Sequence, residues 1–203
     1  MSIPKTQEVD CAFLENADNQ FEVAKIVCSL ANSEGGTLYI GVKSNGKIKG
    51  VYPKDVLNQL TEIISKYIKP SFPFATEIVE EDLKLVVCLK VPHIQGEKYQ
   101  AKLNEKEWEF FVRVKQYSIP ANKIIKRSWM NEKNGTVSNL ESIPELKIFS
   151  KLIHVNQPVT LSKLYKLANM PLDKVDNYLS TLVYLKEVVF SFDGNSFIFS
   201  LKS

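Results

Sequence analysis

The sequence is poor in the residues that build metal centres and disulfide frameworks. It holds three cysteines and two histidines in 203 residues, and no two cysteines have the CxxC spacing. Structural zinc needs four closely spaced cysteine or histidine ligands, and a disulfide framework needs an even and denser set of cysteines. The sequence therefore excludes both, and we expect the three cysteines to be buried free thiols, because small apolar thiols are common core residues.

Long apolar segments are also missing. Runs such as residues 85–89 are far shorter than the roughly 20 apolar residues of a membrane-spanning helix. The first eight positions lack the apolar stretch of a signal peptide. We therefore expect no membrane contact and a cytoplasmic location.

No cofactor is predicted, and charge alone points to no partner. A Gly-Lys-Ser or Gly-Lys-Thr sequence, the end of a phosphate-binding loop, does not occur. The 26 basic and 23 acidic residues leave a formal net charge of +3. A typical nucleic-acid-binding domain is more basic or shows a basic stripe, so nucleic-acid binding has to be argued from particular residues.

The first part of the chain alternates between helical and strand-like patterns. A helix is predicted after Asp18-Asn19, which can cap its first turn. A strand over 37–42 is followed by the tight-turn pair Asn45-Gly46, which predicts a partner strand over 47–51. Further elements are predicted as follows: a helix from Pro53, strands at 75–80, 83–91, 98–103 and 107–114, and a short helix at 120–130.

The last third of the chain has a different pattern. Three short amphipathic helices are followed by two alternating strands at 188–192 and 196–201, which is the order of a winged helix-turn-helix. A polar segment separates this part from the first. The predicted fold class is α+β, with a mixed sheet and helices in the first domain and a small winged-helix-like domain after it. The predicted boundaries are 1–130 for the first domain, 131–143 for the linker and 144–203 for the last module.

The most distinctive motif surrounds a pair of glycines. Residues 31–42 read Ala-Asn-Ser-x-Gly-Gly-Thr-Leu-x-Ile-Gly-Val, and residues 45–51 read Asn-Gly-x-Ile-x-Gly-Val. Ile-Lys-Pro follows at 68–70 and Phe-Val-Arg at 111–113. In this order the motifs resemble those of the Schlafen-type, Alba-like family of DNA-binding domains, over roughly residues 8–128.

The residues of this motif are expected to shape the fold. Gly35 and Gly36 can take positive φ where the helix ends, and Gly41 inside a strand predicts a close backbone approach. The full set of motif residues to which we assign a structural role is Asn32, Gly35, Gly36, Gly41, Gly46 and Gly50.

The resemblance also implies a catalytic site that this sequence has largely lost. Active Schlafen-type nucleases resemble one another in two glutamates and one aspartate, which would hold a divalent metal. Here Glu8 matches the first glutamate, but Phe13 stands at the second position and Lys43-Ser44 replace the acidic pair after Ile-Gly-Val. Neither phenylalanine nor lysine can ligate a hard cation. We therefore interpret the chain as a non-catalytic member with no bound metal.

One alternative keeps an enzyme. A shift of register could place Glu8, Asp10 and Glu15 in a partial metal site, which would make the protein a divalent-metal-dependent nuclease. A second alternative is a protein-interaction or dimerisation scaffold that has kept the fold and lost nucleic acid.

The favoured interpretation is a nucleic-acid-binding protein that could regulate transcription. The lysines at 43, 47 and 49 surround one turn, and Arg113 and Lys115 follow on a later strand. These five residues, Lys43, Lys47, Lys49, Arg113 and Lys115, are the predicted phosphate contacts, with DNA favoured over RNA and a homodimer as a further expectation.

The third helix of the winged-helix-like module is a poor candidate for base reading. It has no arginine over 173–187, and its lysines are balanced by acidic residues. Asn177 and Ser180 are expected to be exposed. We therefore expect packing or dimerisation from this module in preference to sequence recognition.

Overall fold

The computed structural model describes residues 3–134 and 143–202. They form six helices and eleven strands, which confirms the α+β class. The chain divides into two compact units, Met1–Ala121 and Asn122–Ser203. The predicted domain limits stay a prediction: residues 135–142 of the expected linker lie outside the described residues, and 131–134 belong to a helix of the second unit.

The first unit contains two four-stranded sheets and two helices. Its elements are β1 (Cys11–Leu14), α1 (Gln20–Ala31), β2 (Gly36–Ile40), α2 (Pro53–Tyr67), β3 (Ile68–Lys69), β4 (Ala75–Glu81), β5 (Lys84–Val91), β6 (Gln100–Lys102), β7 (Trp108–Val114) and β8 (Tyr117–Pro120). Asn19 caps α1 through its side chain, as the sequence predicts, and Pro53 occupies the first turn of α2.

The first sheet is mixed, in the order β1-β2-β5-β4. β1 runs parallel to β2, whereas β5 runs antiparallel to both of its neighbours. One face carries Leu38, Ile40 and Leu89, which are fully buried in the main core together with apolar residues of α1 and α2. Alternation along the strands sends the other residues to the opposite face.

That opposite face is buried as well. Phe13, Tyr39 and Cys88 lie there and are at most 4% exposed, and Ile3 packs in the same cluster. The segment of residues 3–10, called the N-terminal strap below, is tied to this region. The Ile3 N–H donates to Glu81 Oε2 at 2.9 Å.

The second sheet has the order β3-β6-β7-β8, and each adjacent pair is antiparallel. Ala101 and Phe111 of this sheet, and Tyr99 just before β6, belong to the same main core as α1. The C-terminal end of α1 therefore packs against both sheets, and the glycine motif follows directly after this end.

The predicted hairpin at Asn45-Gly46 is wrong in one respect. The return segment forms a single bridge, Val42 with Ile48, and no strand. The reason is that both edges of β2 are occupied, by β1 and β5. The chain instead leaves the turn and reaches β5, where the Val51 N–H donates to the Leu85 carbonyl at 2.9 Å.

The second unit contains four helices and a small antiparallel sheet. Its elements are α3 (Lys123–Asn134), α4 (Pro144–Asn156), β9 (Val159–Thr160), α5 (Leu161–Leu167), α6 (Leu172–Tyr184), β10 (Val188–Phe192) and β11 (Phe197–Leu201). From α4 onward the order is that of a winged helix, with the sheet order β10-β11-β9. Ile124 of α3 belongs to the same buried cluster as Phe149, Leu179 and Phe199. No helix in the two described stretches is long and apolar enough to cross a bilayer.

Gly36 gives a direct test of the backbone packing. It has φ +145°, and a Cβ there would lie 2.2 Å from the Asp10 carbonyl oxygen. We expect Gly36→Ala to lower the free energy of unfolding by about 3 kcal/mol or more, because rigid backbone must move. The measurement is urea unfolding followed by Trp108 fluorescence in a Trp129→Phe background.

Gly96 is the matched control, since it also has positive φ (+79°) but nothing lies within 4 Å of a Cβ built on it. Gly96→Ala should cost about 1 kcal/mol, from backbone conformation alone. Equal losses for the two variants would show that the contact with Asp10 is unimportant.

Candidate nucleic-acid interface

Asn32 joins helix α1 to the second sheet. Its Nδ2 donates to the Tyr99 carbonyl at 2.7 Å and to the Phe111 carbonyl at 2.9 Å, and its Oδ1 accepts from the Tyr99 N–H at 2.7 Å. The side chain is 5% exposed. Only an amide offers two donors and an acceptor in this shape, so the asparagine of the motif is explained by backbone groups of β7 and of the residue before β6 that need partners.

Arg113 makes a second connection and is buried, with 4% of its surface exposed. Its Nη2 donates to the Cys11 carbonyl at 2.8 Å and to the Glu8 carbonyl at 3.3 Å, and its Nη1 donates to Ser118 Oγ at 3.2 Å. Burial lowers the pKa of the guanidinium from its usual range, although arginine stays charged in proteins. These donors are used inside the protein, on the end of the strap and the start of β1.

Two small side chains complete this cluster of polar groups. Ser33 Oγ accepts from the Arg113 N–H at 2.9 Å, and the hydroxyls of Ser29 and Ser118 lie 2.7 Å apart. His93 Nδ1 lies 3.1 Å from the Ala31 carbonyl. The last turn of α1 and the residues after it thus bind β7, β8 and the segment after β5 through buried and partly buried hydrogen bonds.

The glycines of the motif lie where backbone segments approach each other. A Cβ on Gly35 would lie 2.8 Å from the Val91 carbonyl oxygen, and one on Gly46 would lie 2.2 Å from the Lys5 carbonyl oxygen. The Gly41 carbonyl accepts from the N–H groups of both Lys49 and Gly50. These contacts shape the loop that follows β2.

We call residues 43–50 the lysine loop. Its three lysines, Lys43, Lys47 and Lys49, are exposed. Lys49 Nζ is 3.1 Å from Glu15 Oε2, in an ion pair whose side chains are 45% and 49% exposed. The loop therefore presents its lysines to solvent, with one of them partly neutralised.

Two further lysines, which the sequence did not indicate, belong to this region. Lys84 Nζ donates to the Ile48 carbonyl at 3.0 Å, and the Lys5 backbone packs against Gly46. Both are exposed. Pairing of the loop with β5 and packing of the strap bring them there, and no local pattern could have signalled it.

The other two predicted contacts lie elsewhere. Arg113 is buried below the strap, and Lys115 lies exposed in the turn between β7 and β8, with φ +54°. The structure therefore brings Lys43, Lys47 and Lys49 together and places Lys115 on the other sheet.

The carboxylates of the nuclease alternative, Glu8, Asp10 and Glu15, do not form a metal-binding cluster. Glu15 is paired with Lys49, and Phe13, at the second glutamate position, is 4% exposed in the cluster below the sheet. Glu8 and Asp10 are exposed. In the part of the chain that the structure describes, no three His, Cys, Asp or Glu side chains are placed to hold a metal ion.

The three thiols are buried and free, as expected. Burial is the main cause that raises the pKa of Cys11 to about 11 and the pKa of Cys88 to about 11, and it raises the pKa of Cys28 further still. They remain protonated at neutral pH and are core residues.

The outward face of α6 is covered by α3. Lys123 Nζ is 2.6 Å from Asp176 Oδ2, and Arg127 Nη1 is 2.9 Å from Asp173 Oδ1. One further turn along α3, Asn131 lies within hydrogen-bond distance of the Thr181 hydroxyl. The α3 residues that make these contacts, Lys123, Arg127 and Asn131, recur every four residues, which is the spacing of one helix face.

The expectation that Ser180 is exposed is therefore wrong. Ser180 is 0% exposed, because it lies four residues along from Asp176, on the face of α6 that meets α3. The core side of the same helix carries Val175 and Leu179. α6 is buried on two sides, and its position as third helix of a winged helix does not make it available to a DNA groove.

The first unit is thus an α+β domain in which a glycine-rich turn, a mixed sheet and a lysine-bearing loop are joined by buried asparagine and arginine side chains. The chain belongs to the Schlafen, AlbA_2 family, whose model matches residues 6–122. This confirms the resemblance found in the motifs. No curated protein matches the sequence.

Two solved structures are similar to this chain. The DIP2311 protein from Corynebacterium diphtheriae is 17% identical, with a TM-score of 0.48, over 71% of this chain and 34% of that protein. The N-terminal domain of an ATP-dependent DNA helicase RecG-related protein from Nitrosomonas europaea is 16% identical, with a TM-score of 0.35, over 56% of this chain and 75% of that domain. This chain spans about a third of the length of DIP2311.

Asn32→Asp tests the bridge between helix and sheet. The variant keeps the shape but turns a carboxylate oxygen toward two carbonyl oxygens, so we expect a loss of about 3 kcal/mol at neutral pH. The same surroundings raise the pKa of the new carboxyl above its unfolded value. Stability should therefore fall as pH rises through that pKa, and the deficit should shrink as the solution is acidified toward pH ~5.

Urea unfolding at several pH values measures this effect. Asn58→Asp is the control, since Asn58 is exposed on α2 and should give little change. A deficit for Asn32→Asp that does not vary with pH would contradict the assigned hydrogen bonds.

Ser180→Lys tests the covered face of α6. A lysine at this fully buried position must displace α3 or bury a charge, and we expect a loss of about 2–4 kcal/mol. Asn177→Lys, one turn away and exposed, should change stability by less than about 0.5 kcal/mol. The measurement is urea unfolding followed by Trp129 fluorescence in a Trp108→Phe background. If neither lysine lowers the free energy of unfolding, the face of α6 that carries Ser180 is open to solvent.

Proposed function

We propose that the first unit is a non-catalytic nucleic-acid-binding domain that contacts the phosphate backbone through the lysine loop. The observation that carries this proposal is the convergence of three exposed loop lysines with Lys5 and Lys84 at the end of a rigid mixed sheet. Membership of a family of domains associated with DNA binding supports the proposal and favours DNA over RNA.

Electrostatics favours phosphate as the ligand of this surface. Lysine is a flexible point charge that binds phosphate oxygens without fixed geometry, and each contact releases counterions from the nucleic acid. The ion pair of Lys49 with Glu15 is half exposed, so it contributes little and can be exchanged for a phosphate contact.

The proposed contact is with the backbone and not with base edges. A guanine or adenine is read in two hydrogen bonds by arginine, asparagine or glutamine, and the lysine loop contains neither arginine nor glutamine. The side chain of Asn45, its one amide, accepts from the Lys47 N–H. Phosphate contacts position a protein on a duplex but carry no sequence information. A role in transcription would accordingly need sequence selectivity from another source.

Arg113 enters this proposal as a positioning residue. Its guanidinium holds the carbonyl groups of Glu8 and Cys11, and the strap that ends there supports Gly46 of the lysine loop through Lys5. A phosphate contact by Arg113 itself would have to break these buried hydrogen bonds.

Neither alternative is favoured by a specific contact. The nuclease alternative needs a metal site drawn from Glu8, Asp10 and Glu15, and among the described residues no three His, Cys, Asp or Glu side chains are placed to hold a metal ion. The scaffold alternative, with a homodimer, remains a hypothesis without a defined surface. Incubation of labelled DNA with magnesium or manganese tests the first alternative, with Glu8→Ala as the control, and light scattering of the protein tests the second.

The experiment compares two triple variants in binding to labelled duplex DNA over a salt series. We expect wild type to bind at low salt. The variant Lys43→Ala/Lys47→Ala/Lys49→Ala should bind at least about tenfold more weakly, with a slope of log affinity against log salt reduced by about 2–3, since each phosphate contact contributes about 0.9.

The control variant is Lys54→Ala/Lys163→Ala/Lys166→Ala, which removes the same charge from exposed positions elsewhere. It should retain most of the affinity and the slope. Equal losses in the two variants would show diffuse attraction and no defined surface, and the absence of binding by wild type at low salt would refute the proposal.

A further inference from the structure

β4 is an open edge of the first sheet. It pairs with β5 over all seven of its residues, from Ala75 with Lys90 to Glu81 with Lys84, and the described strands end with it in the sheet order. It contains no proline, and its continuous register shows no bulge. Edge strands of this length are usually protected, because a row of free N–H and C=O groups can pair with another chain.

One face of this edge carries two exposed apolar side chains beside Thr76 and Glu80. Ile78 is 50% exposed and pairs with Val87, and Leu85, two residues from Val87 on the same face, is 39% exposed. Paired residues and their diagonal neighbours on a face lie within side-chain contact. Ile78 and Leu85 therefore form one apolar strip along the edge, on the side of the sheet that carries the helices.

The same edge is acidic. β4 carries Glu77, Glu80 and Glu81 and has no basic residue, and Asp82 follows in the turn. Glu77 and Glu81 alternate with Ile78, so they lie on the opposite face. Glu77 is half exposed in a loose ion pair with Lys90 at 3.7 Å, and Glu81 accepts the Ile3 N–H.

This charge pattern disfavours a second copy as the occupant. Two paired β4 strands would bring six glutamates and no basic residue together, and in the antiparallel register centred on Val79 Glu77 would lie opposite Glu81 of the other copy, twice. Like charges directly opposite each other destabilise a strand pair. The glutamates thus disfavour pairing of β4 with β4 of a second copy and leave the edge open to a strand of opposite charge.

We propose that β4 binds an extended segment of a partner protein in which basic and apolar residues alternate, by adding it as a fifth strand to the sheet. The backbone of the segment supplies the hydrogen bonds, its apolar residues lie against Ile78 and Leu85, and its basic residues face Glu77 and Glu81. A period of two in the segment matches the period of two along the edge. This interaction does not depend on the proposed nucleic-acid binding.

The probe is a capped peptide as long as β4, in which lysine and valine alternate. Hydrogen exchange of the full chain, measured with and without the peptide, should show added protection in 75–81 and little elsewhere. A peptide of the same length with glutamate in place of lysine should not bind. A third peptide, with proline in place of the central valine, keeps the charge but cannot pair along the edge, and it should bind at least about tenfold more weakly.

Two variants test the residues. Ile78→Lys replaces an apolar contact at an exposed edge position with a charge of the same sign as that of the peptide. It should abolish the protection of residues 75–81 from hydrogen exchange. Glu77→Gln/Glu81→Gln removes the two carboxylates that face the basic residues, and it should weaken peptide binding about fivefold to tenfold. The control Glu34→Gln/Glu97→Gln removes two exposed carboxylates of the same unit away from the edge and should bind as wild type does.

Three results would overturn the proposal. Equal binding of the proline peptide would show simple charge attraction, and protection at strands other than β4 would place the interaction elsewhere. Wild-type self-association that Ile78→Lys abolishes would show that a second copy occupies the edge. Melting curves of each variant establish that the fold is retained, and Glu77→Gln/Glu81→Gln keeps the proposal testable if Ile78→Lys does not fold.

Discussion

The first unit depends on hydrogen bonds that two buried polar side chains make with backbone groups. Asn32 ends α1 and satisfies backbone groups of Tyr99 and Phe111, while Arg113 satisfies carbonyl groups of Glu8 and Cys11. Each connection joins segments that are far apart in the sequence, and its directional hydrogen bonds add a fixed register to the apolar contacts of the same core. A buried polar group is costly unless it is paired, so every partner fixes the position of the others. The mixed sheet, the second sheet and the strap are arranged around these two residues.

The sequence predicts the family and most of the fold for two reasons. Apolar periodicity, the Asn19 cap, Pro53 and the glycine pair act locally, so α1, α2, β2, β5 and the final hairpin could be recognised from neighbours along the chain. Motif residues such as Asn32 and Arg113 stand out because their geometry permits few substitutes.

The elements that the sequence does not predict depend on pairing between segments that are distant in the sequence. β1, β3 and β8 have two to four residues each, too few for a periodic signal, and they are strands only because a neighbour offers an edge. The segment after Asn45-Gly46 illustrates the reverse case, since it has a strong hairpin signal and finds both edges of β2 occupied. Tertiary competition for an edge outweighs a favourable turn.

The candidate site shows the same division. Lys43, Lys47 and Lys49 could be found because they surround one turn, but Lys84 joins them through β5. The burial of Arg113 and Ser180 was invisible in the sequence, because each is enclosed by a segment more than 40 residues away: the guanidinium by Glu8, and the α6 face that carries Ser180 by Lys123 of α3. Topological order alone is therefore a poor guide to whether a winged helix reads DNA.

The absence of a side chain at Gly46 has one more consequence. The Lys5 carbonyl fills that space, so the strap and the lysine loop share a packing contact and each restrains the other. Because free-energy coupling is reciprocal, anything that binds the loop and orders it must also tighten the strap, and anything that detaches the strap must weaken the loop. A probe attached to the first ten residues would thus report occupancy of a surface it does not touch.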